Sequence, residues 1–277
     1  MICDLHAHSR FSDGSDTPEQ LVELAVHEGL KAVALTDHNT VAGLPSFVEA
    51  ARSRGVEPVP GCEFSTDYNG VELHILGLFI EPRHYAAVTA LLEDAQREKE
   101  RSSQNLVAAL VAAGYDLNYD AICQKTSGQI NRAHVAAALM EAGYVGSVQE
   151  AFRTLLGKKH GYYVPPKRIG AYDCIRFIKS IGAVAVLAHP FLELDGVALR
   201  AFLPQAVEAG LDGMEVVYSK YSPETTAEAF AIAAEFGILP SGGSDYHGVN
   251  KPDIALGSGR GNLQIPYAWL KELKTRL

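Results

Sequence analysis

Short apolar runs alternate along the chain with longer stretches whose apolar residues recur every three or four positions, which predicts strands and helices in turn. Residues 2–5, Ile-Cys-Asp-Leu, read as a short buried strand running into His6-Ala7-His8-Ser9. Thr17-Pro18-Glu19-Gln20 is a helix start: Thr17 caps, Pro18 suits the first turn, and Gln20 stands where a capping-box partner belongs. Leu21, Leu24, Ala25 and Leu30 mark the buried side of that helix, and Gly29 stops it. The next strand, 31–38, is apolar on both faces, as a parallel strand covered by helices should be, and it ends in Asp37-His38. A helix over 44–54 follows, then strands over 56–63, closing in Gly61-Cys62-Glu63, and over 71–77, which holds His74.

The rhythm changes from 82 to 168, where helical patterns over 85–113, 133–142 and 148–156 have no strand among them. It then resumes, with helices over 172–181, 197–209 and 223–236 and strands over 183–188, 213–218 and 238–241. The strand 183–188 runs into His189-Pro190, the last strand into Ser244-Asp245-Tyr246-His247, and 266–277 reads as a closing amphipathic helix. Polar residues at successive strand ends, each followed by a helix, are the arrangement of an α/β barrel, whose chemistry collects at the C-terminal ends of its strands. The predicted fold is therefore α/β, a barrel built from 1–81 and 169–277. Residues 82–168 form a helical insertion over its mouth that contributes to substrate binding, or else an ordinary helical subdomain with no part in binding.

Composition narrows the function. A chain of 277 residues, 47% hydrophobic and 21% charged, fits one large domain or one domain carrying an insertion. No apolar run approaches the roughly 18 residues that span a bilayer, so no membrane segment is expected. Met1 leads directly into the first strand, and Cys3, Cys62, Cys123 and Cys174 are scattered, which together imply reduced thiols and a cytoplasmic location. A net charge of −9 offers no broad basic surface for duplex DNA. Divalent cations gathered in one pocket would make that pocket locally positive all the same, so a small anionic substrate fits.

The candidate chemistry starts at His6 and His8, which share a face if their segment is extended. Asp13, in the turn Phe11-Ser12-Asp13-Gly14, can fold a carboxylate back over them. Neutral imidazole with carboxylate suits Zn, Mn or Fe. The polar residues at strand ends are His6, His8, Asp13, His38, Glu63, His74, His189, Asp245 and His247, and they include six of the ten histidines. One such histidine alone is more often a satisfied structural residue. Their recurrence at successive strand ends points to a metal centre.

The segments Asp4-Leu5-His6-x-His8-Ser9, Thr36-Asp37-His38, Gly61-x-Glu63, Ala188-His189-Pro190 and Ser244-Asp245-x-His247 resemble, in order, the motifs of the PHP (polymerase and histidinol phosphatase) phosphoesterases. The resemblance implies a distorted (β/α)7 barrel holding two to three divalent ions (Mn, Fe or Zn). It also implies a division of ligands: His6, His8, Glu63 and Asp245 on one ion; a bridging Glu63 with His74 and His189 on a second; Asp13, His38 and His247 on the third. Among these enzymes, a full ligand set with a helical insertion near Arg132-Ala133-His134 is most similar to small-nucleotide phosphatases. Those remove the 3′-phosphate of 3′,5′-nucleoside bisphosphates such as pAp, and their relatives trim short RNA from the 5′ end.

By the same resemblance Arg132 and His134 reach the substrate phosphate; the alternative is a helix start that meets only solvent. The implied reaction is attack on phosphorus by a metal-bridging hydroxide, formed because bound water has its pKa lowered to about 7. Lys158, Lys159 and His160 are further basic residues, more simply read as surface. Asp4, which shares parity with His6, and Asp37 are candidates to orient a ligand histidine from beneath; the alternative for both is an ordinary buried hydrogen bond within the barrel. The rival readings are histidinol phosphate phosphatase, a metal-dependent amidohydrolase, and a non-catalytic module binding metal or nucleic acid.

Overall fold

Thr17 and Gln20 form the predicted capping box, each side chain taking the other's backbone N–H at 3.2 and 2.8 Å. The computed structural model of the chain describes residues 1–125, 130, 132–166 and 168–277, apart from the side chains of Gln96 and Lys158. Its elements begin with β1 (Ile2–Asp4), α1 (Pro18–His27), β2 (Ala32–Leu35), α2 (Leu44–Arg54), β3 (Glu57–Tyr68) and β4 (Val71–Leu78). Then come the helices α3 (Tyr85–Ala112), α4 (Tyr119–Gln124), α5 (Arg132–Glu141) and α6 (Val148–Ala151). The chain closes with α7 (Ala171–Ser180), β5 (Val184–Leu187), α8 (Gly196–Glu208), β6 (Gly213–Tyr218), α9 (Pro223–Phe236), β7 (Leu239–Gly243), β8 (Ile265–Pro266) and α10 (Tyr267–Lys274). No strand lies between β4 and β5 among the described residues, as the sequence predicts. The short α4, capped by Asn118, and the two-residue β8 are additions to the predicted set.

One eight-stranded sheet runs in the order β7-β6-β5-β4-β3-β2-β1-β8. Pairing is parallel at β1–β2, β2–β3, β5–β6 and β6–β7. The sheet nearly closes where the segment after β1 meets the segment after β7: Asp245 N donates to His6 O and His8 N to Tyr246 O, both at 2.9 Å. These two bonds set His6 and His8 beside Asp245 and His247 across the seam.

Strict strand–helix alternation breaks at β3–β4, which pair antiparallel, as β4 and β5 do. Tyr68-Asn69-Gly70-Val71 makes the turn, with φ of 52° at Asn69 and 83° at Gly70. An Asn-Gly pair suits a two-residue hairpin because both residues tolerate positive φ. β3 therefore continues past Glu63 to Tyr68, and Glu63 sits inside a strand rather than at its end.

The described residues divide into two compact units. Met1–Thr89 with Ile169–Leu277 is the barrel, and Ala90–Arg168 is the helical insertion, so the division falls inside α3. In the barrel, a core of Cys3, Ala34, Val59, Leu76, Val186 and Leu270 joins the sheet to α10. The insertion has its own core, centred on Leu106, Leu110, Val135, Leu139 and Leu156. Among the described residues no helix is long and apolar enough to cross a membrane.

Candidate metal centre

Glu63 is fully buried, and five imidazoles surround its carboxylate. Oε2 lies 3.1 Å from His6 Nε2, 3.2 Å from His8 Nε2 and 3.0 Å from His38 Nδ1. Oε1 lies 2.8 Å from His74 Nδ1 and 3.0 Å from His189 Nε2. The hairpin explains His74. Glu63 faces Leu76 and Ser65 faces His74, so the alternation of side chains puts Glu63 and His74 on the same side of the ribbon.

The remaining candidates gather around this carboxylate. Asp245 Oδ1 lies 3.3 Å from His8 Nε2, 3.7 Å from His6 Nε2 and 3.4 Å from His247 Nδ1. Asp13 Oδ1 is 3.1 Å from His247 Nε2 and 3.7 Å from His8 Nδ1, and Asp13 Oδ2 is 3.8 Å from His38 Nε2. All nine strand-end candidates thus meet in one place, in four overlapping groups: His6-His8-Asp245, His6-Glu63-His189, His38-Glu63-His74, and His8-Asp13-His38-His247. His8 and His38 stand between groups, so the implied division into three separate ligand sets is less sharp in space than along the chain.

The donor chemistry fits cations. His6 Nδ1 lies 3.0 Å from Glu215 Oε1, which places a proton on Nδ1 and leaves Nε2 as the atom that would face a cation. His6 Nε2 faces Glu63 Oε2 at 3.1 Å and stands 3.0 Å from His8 Nε2. Glu63 Oε2 and His247 Nε2 have no hydrogen-bond partner of acceptable geometry, despite neighbours this close. A buried carboxylate oxygen and a buried ring nitrogen left unpaired among close nitrogens and oxygens are what cation ligands look like, since leaving such groups unpaired is costly.

Carboxylates and imidazoles compensate one another's charge: despite burial, Glu63 and other acids raise His6 and His8, whose protons a bound cation would displace. Burial pushes Glu63 up, but His6, His38 and His74 outweigh it and hold the carboxyl well below its usual range. Asp245 and Asp13 are likewise lowered against their burial, Asp245 chiefly by His8 and His6, Asp13 by His247 and His38. Burial also opposes a charged His74, yet Glu63 and then Glu72 raise it to about 10, whereas burial takes His38 down to about 4.

Local backbone is bent to fit. His189 has φ 29° and Asp245 φ 58°, conformations that residues other than glycine seldom adopt. Such strain persists where surrounding structure holds it, often at functional sites. Glu215 Oε2 accepts the His189 backbone N–H at 2.7 Å, so one buried carboxylate fixes both the His6 ring and the His189 bend.

Glu215, Tyr218 and Lys251 lie outside the strand-end pattern. Tyr218 Oη and Lys251 Nζ both donate to Asp245 Oδ2 at 2.8 Å. A carboxylate inside the apolar strand Gly-Met-Glu-Val-Val-Tyr is a signal for Glu215; Lys251 gives none. Asp4 does not sit beneath the His6 ring. It accepts backbone N–H groups from His6, Ser244 and Gly257 at 3.2, 2.9 and 2.7 Å, because the ring turns toward β6. Asp37 reaches a histidine only through Ser12: it accepts from Ser9 N, Ser9 Oγ and Ser12 Oγ at 2.7 Å each, and Ser12 Oγ lies 3.5 Å from His8 Nδ1.

Within the insertion, the Arg132 guanidinium lies 4.2 Å from the centre of the Tyr163 ring and 5.5 Å from that of Phe152. His134 lines a different space, a cavity of about 390 Å³ walled by Asp116, Leu117, Lys125, Ala138 and Glu141. Residues two apart on a helix point about 200° from each other, which separates the two side chains. Lys159 is exposed, His160 Nε2 lies 2.6 Å from the Arg153 carbonyl, and the Lys158 side chain falls outside the described residues.

The chain matches the PHP domain over residues 4–164. It is 35% identical over 253 residues to a phosphoribosyl 1,2-cyclic phosphate 1,2-diphosphodiesterase of Eggerthella lenta (90% of this chain, 95% of the relative). Over 245 residues it is 32% identical to a 5′-3′ exoribonuclease of Haemophilus influenzae (88% and 89%). A 3′,5′-nucleoside bisphosphate phosphatase of Chromobacterium violaceum is 31% identical over 247 residues (88% and 86%). A crystal structure of a proposed metal-dependent phosphoesterase from Bifidobacterium adolescentis superposes with a TM-score of 0.73 at 30% identity, covering 99% of this chain and 96% of that one. With a barrel of this topology, a convergent His/Asp/Glu centre and relatives of this kind over most of its length, the chain belongs to the PHP domain family and is a metal-dependent phosphoesterase.

Proposed function

We propose that this phosphoesterase is a cytoplasmic enzyme that removes the 3′-phosphate from 3′,5′-nucleoside bisphosphates such as pAp. Two to three divalent ions (Mn, Fe or Zn) would be held by His6, His8, Asp13, His38, Glu63, His74, His189, Asp245 and His247. The observation that carries the metal half of this reading is Glu63, buried among five imidazoles with one oxygen lacking any hydrogen-bond donor. The choice of ester is supported by the Chromobacterium violaceum relative. Bound cations would supply charge neutralisation for a phosphate dianion and an activated water, which are the main needs of phosphoryl transfer.

The chain's own residues do the rest. Glu215 holds a proton on His6 Nδ1, so Nε2 is the atom left to face a cation, and its grip on the His189 backbone fixes a second candidate ligand. Burial of His6, His8 and Glu63 excludes water from the floor of the site, where electrostatic contacts are correspondingly strong. Arg132 supplies the phosphate grip in this proposal, its guanidinium steadied by Tyr163 and Phe152, because its planar fork matches phosphate oxygens. His134, on another side of α5, is assigned the lesser role of a second contact.

Initial-rate phosphate release with added Mn²⁺ tests the proposal on pAp, a 5′-phosphorylated short RNA, a 1,2-cyclic phosphate and histidinol phosphate. Highest kcat/KM is expected on pAp. Faster turnover of RNA ends, of the cyclic diester or of histidinol phosphate would replace the proposed ester by that one. Arg132→Ala is expected to raise KM for pAp by about tenfold or more, the loss of a charge-assisted pair, and His134→Ala by less. Equal and unchanged KM in both variants would remove the insertion from substrate binding.

A further inference from the structure

Asp245 presents its two oxygens to different surroundings. Oδ1 faces His6, His8 and His247, whereas Oδ2 is turned away and takes two donors at 2.8 Å, the Tyr218 hydroxyl and the Lys251 ammonium. Tyr218 is itself locked in place. It is 1% exposed, and its ring packs 5.2 Å from that of His189 and 5.3 Å from that of Tyr221. Lys251 comes from the segment after His247, anchored by its own N–H on Gly248 O at 3.2 Å and by Ile254 N on its carbonyl at 3.0 Å. The Asp245 backbone is held as well, with φ 58° and its N–H on His6 O.

We propose that Tyr218 and Lys251 are positioning residues that withdraw Asp245 Oδ2 from the metal centre, so that Asp245 offers Oδ1 alone. A carboxylate with both oxygens free can chelate one cation and occupy two of its coordination positions. A catalytic centre needs a position left open for substrate or water. An ammonium at 2.8 Å also drains charge from the carboxylate and repels any cation beside it. The arrangement gives up affinity for the ion to keep a coordination position available. The usual expectation for a residue that supports a ligand is the reverse, that its loss weakens the metal.

The inference rests on Asp245 being a ligand, and the test separates the two. Metal-free full-length protein is titrated with Mn²⁺, following free Mn²⁺ by electron paramagnetic resonance, for the unsubstituted enzyme and for Lys251→Met, Tyr218→Phe, Lys251→Arg and Asp245→Asn; kcat and KM are measured alongside. Lys251→Met and Tyr218→Phe are expected to bind Mn²⁺ at least as tightly as the unsubstituted enzyme, about fourfold tighter for the lysine variant. Their kcat should fall about tenfold with KM little changed, and Lys251→Arg should recover most of it. Weaker Mn²⁺ binding together with lower kcat in both variants would reduce the pair to structural support and overturn the proposal, as would full turnover. Normal Mn²⁺ binding by Asp245→Asn would overturn the ligand assignment itself. Tyr218→Phe keeps the ring packing, so it carries the test should Lys251→Met fail to fold.

Discussion

At the scale of single residues, the centre depends on which nitrogen of each imidazole carries the proton, and His6 shows how that is decided. Its Nδ1 is committed to Glu215 Oε1 at 3.0 Å, while Glu215 Oε2 is committed to the His189 N–H at 2.7 Å. A glutamine at 215 fits the space but has only one acceptor oxygen, so one of these two donors loses its partner. Glu215→Gln is therefore expected to lower Mn²⁺ affinity or kcat/KM by about 10- to 100-fold, the range for residues that orient a metal ligand. Stability should drop by about 1–3 kcal/mol for the buried donor left unpaired. Metal content, phosphate release and urea denaturation of the purified variant check all three. Unchanged metal affinity would mean that the His6 ring needs no partner. Most candidate ligands were legible in the sequence because they are polar residues within or just after an apolar run; Asp13 was legible from its turn close behind His6 and His8. Their supports were legible only in part: the parity of Asp4 with His6 says which side a side chain leaves the strand, not where the far ring nitrogen points.

At the scale of elements, the candidate ligands are delivered by pairs of segments bound to each other. The loop carrying Asp13 and the loop carrying His247 are joined by Ser15 N on His247 O at 3.1 Å, Val249 N on Ser15 Oγ at 3.0 Å and Asn250 Nδ2 on Asp13 O at 2.9 Å. The seam between β1 and β7 is tighter still. A Cβ on Gly243 would stand 2.1 Å from His6 Cβ and 2.6 Å from His6 N, leaving room only for glycine. Gly243→Ala is expected to cost about 3 kcal/mol of stability through overpacking and to shift His6 away from Glu63. Chemical denaturation would report the first effect and a lower Mn²⁺ stoichiometry the second. An alanine variant of normal stability and full occupancy would show that the seam yields. The β3–β4 hairpin was written in the sequence as Asn69-Gly70 between two strand-like runs. The strand–helix rhythm on either side obscured it, since Glu63 resembles a strand end until β3 is seen to continue to Tyr68. The hairpin also turns the least distinctive candidate, His74 in an apolar strand, into a neighbour of Glu63.

At the scale of the molecule, the candidate ligands span residues 6 to 247, nearly the full length of the chain, while the insertion has a hydrophobic core of its own. The unfolded chain cannot hold these groups together, so ions bind the folded barrel and stabilise it by mass action. At about one hundred times its dissociation constant, each ion adds about 2.7 kcal/mol. For a unit of roughly 200 residues that corresponds to about 5–10 °C in melting temperature. Treatment with EDTA followed by a scanning calorimetry series with increasing Mn²⁺ should therefore move the barrel's transition upward by this amount per ion, with saturation marking the stoichiometry. Hydrogen exchange should place the added protection at the seam, in the amides of His8 and Asp245 and in the β3–β4 pairing, and leave α5 unchanged, because the helices of the insertion lend none of the nine candidate ligands. A melting temperature indifferent to excess Mn²⁺ would be incompatible with these residues acting as ligands. Protection gained equally by α5 would show that the insertion responds to the ion despite holding none of its ligands.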